Sequence, residues 1–293
     1  MSFDSPLSNE IDDESRKWFI LQRAVEQRSV AAAFDFFRLH GLEPILFKGI
    51  AAGLNYPEGK VRVSTDIDLA FSKTDFEKAF ALAQSDEYKG TTLDIHREFK
   101  HLDKVDWNVL FDRSQVIELG GLKIRIPSAE DHLRLLCVHW LIDGGWFRER
   151  LWDIYYAVDR RSETFDWSRC LDEVSANRRG WVICTIGLAH HYLQLPIDDL
   201  PFADEARNVP TWLIRAVERE WASGLRLAPI QQFVGQPALF FRQLRKRLPP
   251  NPITATLDVE GSLDSRFRFH FQIGSILKRL GPSLGKFKSY FSR

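Results

Sequence analysis

The sequence predicts an α+β protein, in which a small mixed sheet with helices is followed by a mainly helical region. Up to about residue 127, short apolar or alternating runs that are typical of strands separate helical segments. From about residue 129 to residue 248, only helical spacing is found, interrupted by Gly, Pro and Asn. We therefore expect an N-terminal helix plus α/β core over residues 1–127, and a helical domain over residues 128–293.

The elements of the first part follow from local patterns. Apolar residues recur at three- and four-residue steps through the first segment and predict a long helix, and a short apolar run before Lys48-Gly49 predicts a buried strand. Alternation predicts two further strands, and Gly120-Gly121 predicts a hairpin turn. In chain order, we predict a helix over about 14–40, a strand over 44–47, a helix over 49–55, a strand over 63–71, a helix over 75–84, a strand over 92–96, a helix over 106–113 and a hairpin of 116–119 with 122–126.

Start and stop signals refine these predictions. Thr74 and Glu77 have the spacing of a capping box, and Ser128 with Asp131 resembles another helix start. The segment 249–262 has the composition of a loop, and residues 266–280 form a short amphipathic stretch.

Composition places the chain among soluble globular proteins. Of its 293 residues, 44% are hydrophobic and 27% are charged, and the 40 basic and 40 acidic residues cancel, which excludes a histone-like or polyacidic protein. The N-terminus is polar and acidic and no apolar run reaches membrane-spanning length, so we expect neither a secretory signal nor stable membrane insertion. Three cysteines without a CxxC pair argue against a disulfide framework and make the reducing cytoplasm the expected location.

The charge is unevenly distributed. Residues 201–293 carry 15 Lys or Arg against 7 Asp or Glu. A basic C-terminal region of this kind could face an anionic partner. The alternative is a solvated surface that balances an acidic first part of the chain.

The strongest chemical signal is Asp66-Ile67-Asp68. Alternate side chains of a strand share a face, so Asp66 and Asp68 would project together while Ile67 enters the core. Two carboxylates on one rigid edge suit Mg²⁺. Asp94, which also alternates with core residues, is the candidate for a third ligand on a neighbouring strand. The alternative is three solvated acids at strand ends.

The order of these motifs resembles the nucleotidyltransferase superfamily with the DNA-polymerase-β-like fold. More narrowly, the segment from Phe47-Lys48-Gly49 through Arg62 to Asp66-Ile-Asp-Leu69 is similar to the bacterial family of uncharacterised nucleotidyltransferases. Asp94-Ile-His96 matches that family's strand with an acid and a histidine. The resemblance covers about residues 44–160. Two further positions that match the family, His139 and Asp153, lie in the following helices, where we expect a buried structural pair rather than catalytic residues.

The resemblance implies a role for each acid. Asp66 and Asp68 would hold two Mg²⁺ ions, for which Mn²⁺ is a possible substitute, and Asp94 would be the third ligand. Asp94 would also assist deprotonation of the attacking hydroxyl.

Basic residues and a glycine complete the predicted site. Gly49 opens a helix, whose free N–H groups could approach a triphosphate closely. Lys48 and Arg62 could pair with phosphate oxygens, or could instead be salt-bridge partners. His96 could contact a phosphate or orient a ligand, or could be a surface histidine.

We therefore expect a Mg²⁺-dependent nucleotidyltransferase that moves an NMP unit from an NTP to an acceptor hydroxyl and releases pyrophosphate. The acceptor could be a small molecule, a sugar, a peptide, a protein or an RNA. One alternative is a non-catalytic nucleotide sensor or binding scaffold with the same fold, because the superfamily usually has Gly-Gly or Gly-Ser where this chain has Lys48-Gly49. Another is a toxin-like transferase that modifies RNA or protein.

Overall fold

The computed structural model describes residues 13–60, 62, 64, 66–99, 102, 105–228, 230–233 and 235–279. Within them, the chain has the predicted α+β structure with a small mixed sheet and many helices. Its helices are α1 (Asp13–Leu39), α2 (Gly49–Gly53), α3 (Phe76–Ala83), α4 (Trp107–Asp112), α5 (Ala129–Ile142), α6 (Leu151–Asp159), α7 (Trp167–Leu171), α8 (Ala176–Leu193), α9 (Ala203–Arg207), α10 (Thr211–Ala222), α11 (Pro237–Arg247), α12 (Pro252–Asp258) and α13 (269–279).

The described residues form two compact units whose segments alternate along the chain. The first unit contains the residues up to Leu136, Trp152–Val174 and Tyr192–Pro196, and the second contains Cys137–Leu151, Ser175–His191 and the residues from Ile197 onward. The predicted division between residues 127 and 128 concerns folding domains and stays a prediction. The predicted basic C-terminal region extends past residue 279, and its basic residues from position 280 onward lie outside the described residues.

Three strands in the first unit make the mixed sheet. They are β1 (Ile45–Leu46), β2 (Ile67–Phe71) and β3 (Leu93–Arg97), in the order β1-β2-β3. The first pair is antiparallel and the second is parallel. A separate hairpin is formed by β4 (Gln115–Leu119) and β5 (Leu122–Ile126), as the two glycines predict.

The central strand β2 is buried on both faces. Ile67, Leu69 and Phe71 point to one face and pack in a hydrophobic cluster with Phe34 and Phe37 of α1. The rings of Phe37 and Phe71 lie 4.8 Å apart in an edge-to-face arrangement. Burial of alternate residues against α1 therefore sets which β2 side chains are left for the opposite face.

That opposite face carries the polar residue of β2. Asp68 and Ala70 lie on it, and Ala70 belongs to a second cluster with Phe47 and Phe99. Asp68 is only 6% exposed. The fold thus places one carboxylate inside an apolar and aromatic environment.

The apolar spacing of α1 corresponds to buried side chains only in its second half. Val30 and Phe34 are buried, whereas Trp18, Leu21 and Val25 are each more than half exposed. Periodicity therefore predicts the helix correctly, but it does not predict how far along the helix the core extends.

Two local predictions were wrong. The capping box at Thr74 and Glu77 does not form. Instead the Ser72 hydroxyl accepts the Asp75 N–H at the start of α3. By contrast, Ser128 caps α5 as expected, because its hydroxyl accepts the Asp131 N–H.

The second wrong prediction is the loop over residues 249–262. Part of this segment forms α12, in which Asn251 is the N-cap and accepts the backbone N–H groups of Ile253 and Thr254. Proline at the first helical position is compatible with this start. The segment is helical because Ile253 and Leu257 are buried in the second unit, and tertiary packing outweighs the loop-like composition.

Within the described part of the chain, no helix combines the length and the apolar character that a membrane span requires.

Candidate functional site

The turn between β1 and α2 has a strained backbone. Lys48 has φ 56° and ψ −149°, and Gly49 follows with φ 38°. Positive φ costs a non-glycine residue about 1–3 kcal/mol. At position 49, a Cβ atom would also lie 3.1 Å from the Ser64 hydroxyl oxygen, so both the positive φ and this close approach favour glycine there. Lysine at position 48 makes contacts that can offset this strain.

Those contacts involve both the main chain and the side chain of Lys48. Its backbone N–H donates to Nε2 of His132 at 3.1 Å, and its ammonium donates to Oδ1 of Asp68 at 2.8 Å. Burial lowers the pKa of His132 to about 4, so its imidazole is neutral and can accept the N–H. Both the backbone N–H and the side-chain ammonium of Lys48 therefore have partners within the first unit.

Asp68 belongs to a cluster of three possible metal ligands. Asp68 on β2 and Asp94 on β3 are direct partners in the parallel register, and His96 follows two residues along β3. Nε2 of His96 lies 3.1 Å from Oδ1 of Asp68 and 3.0 Å from Oδ2 of Asp94. One ligand atom from each residue lies within 4.8 Å of the others.

The charges in this cluster stabilise one another. Burial alone would raise the pKa of Asp68, but the hydrogen bonds and charges of His96 and Lys48 hold it below its usual value. The hydrogen bond from His96 likewise lowers the pKa of Asp94. Burial works against the charged form of His96, yet its bonds to the two carboxylates raise its pKa. The positive charges of His96 and Lys48 therefore stabilise the ionised forms of the two carboxylates.

Asp66 lies beside this cluster but does not belong to it. The residue forms a bend before β2, so Asp66 and Asp68 are not both within the strand as we expected. Asp66 lines a cleft of about 90 Å³ together with Gly49, Ser64 and Asp68. Its carboxylate makes no hydrogen bond or ion pair with the described residues. It is thus an uncommitted carboxylate on the wall of the cleft.

Glu26 of α1 lines the same cleft, and the sequence did not single it out. Its carboxylate accepts the backbone N–H of Ser64 at 3.4 Å, and burial raises its pKa. The only sequence signal was an acid next to the apolar positions of α1, which is too common to identify a site.

Arg62 lies in a buried ion pair. Its guanidinium bonds both carboxylate oxygens of Asp153, with Nη2 at 3.2 Å from Oδ2 and Nε at 3.3 Å from Oδ1. The Tyr56 hydroxyl also donates to Asp153, at 2.7 Å. The charge of Asp153 raises the pKa of Arg62 although burial opposes this. The predicted contact of Arg62 with phosphate stays a prediction.

The sequence missed the partners that hold the site together. His132 and Asp153 lie 84 and 91 residues from their partners Lys48 and Arg62. His132 had no distinguishing signal, because it stands in a helix of mixed polarity. Asp153 was noted only through the family resemblance, as part of a structural pair with His139. In the structure Asp153 pairs with Arg62 instead, and Nδ1 of His139 lies 3.3 Å from a carboxylate oxygen of Asp143.

The donor set fits a divalent cation. Two carboxylates and an imidazole are ligands that Mg²⁺, Mn²⁺ and other divalent ions accept, although Mg²⁺ favours an all-oxygen set. Asp66 could add a further oxygen from the same cleft. One feature opposes simple binding, because the Lys48 ammonium holds Oδ1 of Asp68. An ion that binds Oδ1 of Asp68 would compete with that ammonium.

More than half of the chain is similar to a known protein family. The model of a family described as "Uncharacterised nucleotidyltransferase" matches residues 13–194, which include the cluster, the strained turn and the buried ion pair. No curated protein and no solved structure matches the chain.

Proposed function

Because the chain belongs to the family of uncharacterised nucleotidyltransferases, we propose that it is a Mg²⁺-dependent enzyme that transfers an NMP unit from an NTP to an acceptor hydroxyl. The observation that carries the proposal is the cluster of Asp68, Asp94 and His96, with a free carboxylate of Asp66 beside it.

The residues that would hold Mg²⁺ are Asp68 and Asp94, joined by Asp66 and supported by His96. A bound divalent cation supplies positive charge for the oxygens that attack and leave. The two carboxylates stand on adjacent parallel strands, so the sheet itself sets their separation. Little covalent help is needed in phosphoryl transfer, and positioning of this kind is the main task of the protein.

The proposed reaction forms one bond and breaks one. The acceptor oxygen attacks the α-phosphorus, and the bond to the bridging oxygen breaks with its electron pair leaving on pyrophosphate. The proton of the acceptor hydroxyl passes to Asp94. The side chain of Asp94 is 53% exposed, and its lowered pKa keeps it ionised at neutral pH, although the same lowering makes it a weaker base.

Lys48 has two positions in this proposal. Without nucleotide, its ammonium neutralises the buried Asp68. With nucleotide bound, it would bind the phosphates, and the carboxylate of Asp68 would become available as a metal ligand. The strained backbone at Lys48 supports a functional role, since an ordinary structural ion pair would not require a lysine at a position that favours glycine.

The test is label transfer. The protein is incubated with each labelled NTP, Mg²⁺ and a cell extract, and pyrophosphate release and labelled product are measured. Asp68→Asn and Asp94→Asn should each abolish both signals. Asp86→Asn, which changes an exposed acid after α3, is the matched control and should retain them. Equal label transfer by the Asp68→Asn variant would refute the proposal.

A second candidate is a non-catalytic nucleotide-binding protein of the same fold. The specific observation in its favour is the Lys48 ammonium, which satisfies Asp68 without any metal. Calorimetry with Mg-NTP separates the two candidates. Binding of nucleotide without release of pyrophosphate in any extract would favour the second.

A further inference from the structure

The second unit contains a large cavity with a strong surplus of positive charge. Its volume is about 1010 Å³, and seven basic and two acidic side chains line it. A cavity of this size lies at the upper end of the range for small-molecule sites, which is about 300–1,000 Å³. It has room for more than a single phosphate ion.

The two acids of the cavity already pair with basic side chains, one of which also lines the cavity. Glu220 pairs with Lys246, whose Nζ lies 2.6 Å from Oε1. Asp143 pairs with Arg150 at 3.1 Å. Neither carboxylate is therefore left to balance the remaining positive charge.

Four arginines of the cavity have no polar partner among the described residues. They are Arg215, Arg219, Arg242 and Arg245. Arg215 and Arg219 stand one turn apart on α10, and Arg242 and Arg245 stand three residues apart on α11. Like charges at these spacings repel and destabilise the helix that carries them. Two such pairs in one cavity are a cost that an anionic ligand would remove.

Aromatic rings support further cations at the wall. The Arg226 guanidinium lies 4.9 Å from the ring centre of Phe147, and the Lys246 ammonium lies 4.4 Å from that of Trp146. Stacking on a ring orients a guanidinium while its N–H edge stays available for a phosphate. Arg226 therefore adds a fifth arginine to the four without partners.

We propose that this cavity binds a ligand that carries several phosphate groups in a chain, such as single-stranded RNA or an inorganic oligophosphate. Five arginines without a carboxylate partner exceed what one phosphate can bind, and arginine matches phosphate oxygens with two parallel hydrogen bonds. The proposal goes beyond the transferase reaction and does not depend on it, because all its residues belong to the second unit.

The test measures binding by the full chain in EDTA with two probes, a fluorescent single-stranded RNA of ten nucleotides and tripolyphosphate. We expect the double variants Arg215→Gln with Arg219→Gln, and Arg242→Gln with Arg245→Gln, each to weaken binding by about tenfold or more. For the RNA probe, loss of two phosphate contacts should reduce the slope of log K against log salt by about 1.4.

Control variants locate the effect. Arg28→Gln with Arg160→Gln removes the same charge from exposed positions outside the cavity and should change affinity by less than about twofold. Thermal unfolding of each variant verifies its fold. Binding of the RNA alone or of tripolyphosphate alone, with this sensitivity, supports the proposal and identifies the source of the phosphates. Absence of binding by both probes, or equal weakening by the control pair, overturns it.

Discussion

The buried histidine behind Lys48 should make stability depend on pH. His132 is 5% exposed, and its Nε2 accepts the Lys48 N–H at 3.1 Å. A backbone N–H can only donate, so Nε2 carries no proton in the folded state. Burial lowers the pKa of His132 from 6.5 to about 4. Protonation would both charge a buried ring and remove the acceptor that holds the strained turn.

The sign follows from where the proton binds. As pH falls below 6.5, the unfolded chain takes up a proton at His132 and the folded chain does not. The stability contributed by the neutral histidine is thus complete above pH 6.5 and is lost as pH falls towards about 4. Each pKa unit corresponds to about 1.4 kcal/mol, so lowering the pH from about 7 to about 5 should remove about 2 kcal/mol through this group alone.

Urea unfolding at pH values of about 7 and about 5 measures this loss in the wild type, His132→Gln and His132→Leu. Both variants lack the titrating group, so their loss between the two pH values should be smaller by about 2 kcal/mol. Glutamine can still accept the Lys48 N–H, whereas leucine cannot, and His132→Leu should be less stable than His132→Gln by about 1 kcal/mol at both pH values. An equal pH dependence in all three proteins would refute the reasoning.

Three further predictions concern the same unit. Lys48→Met should reduce the free energy of unfolding, measured in urea, by about 3 kcal/mol, because it leaves the buried Asp68 with one cation fewer. The double variant Lys48→Met with Asp68→Asn should recover most of that loss. Recovery of none of it would mean that Lys48 acts elsewhere. Arg62→Met should cost about 3 kcal/mol by leaving Asp153 buried and unpaired; an unchanged stability with a raised KM for NTP would instead assign Arg62 to phosphate. Gly49→Ala should lower stability by at least about 1 kcal/mol in thermal unfolding, because its φ of 38° strains alanine, and a neutral result would contradict the strained turn.

Much of the secondary structure of the first unit is encoded locally. The predicted helix over about 14–40 corresponds to α1, and alternation around Ile67 and Leu93 predicts β2 and β3. Periodicity and turn chemistry act within a few residues, so a pattern in the sequence is enough to predict them. The same reasoning predicted that Asp68 and Asp94 lie on neighbouring strands, and the observed register makes them direct partners.

Local patterns failed where packing decided the outcome. The segment of α12 has two prolines before it and a loop-like composition, yet it is helical because its apolar side chains enter a core built by distant residues. The first half of α1 has the periodicity of a buried face and is exposed. In both cases burial depends on which surfaces lie nearby, and the sequence of the segment does not contain that information.

The sequence alone thus predicted which acidic residues belong to the site and their order along the chain. It did not predict which residues pair with the basic side chains of the site. Strand alternation brought Asp68 and Asp94 together, but only the folded chain placed His96 between the two carboxylates and left Asp66 beside them. The contacts of Lys48 with His132 and of Arg62 with Asp153 join positions more than 80 residues apart. Such partners are selected by long-range packing and by the cost of burying an unpaired charge, which are properties of the assembled core.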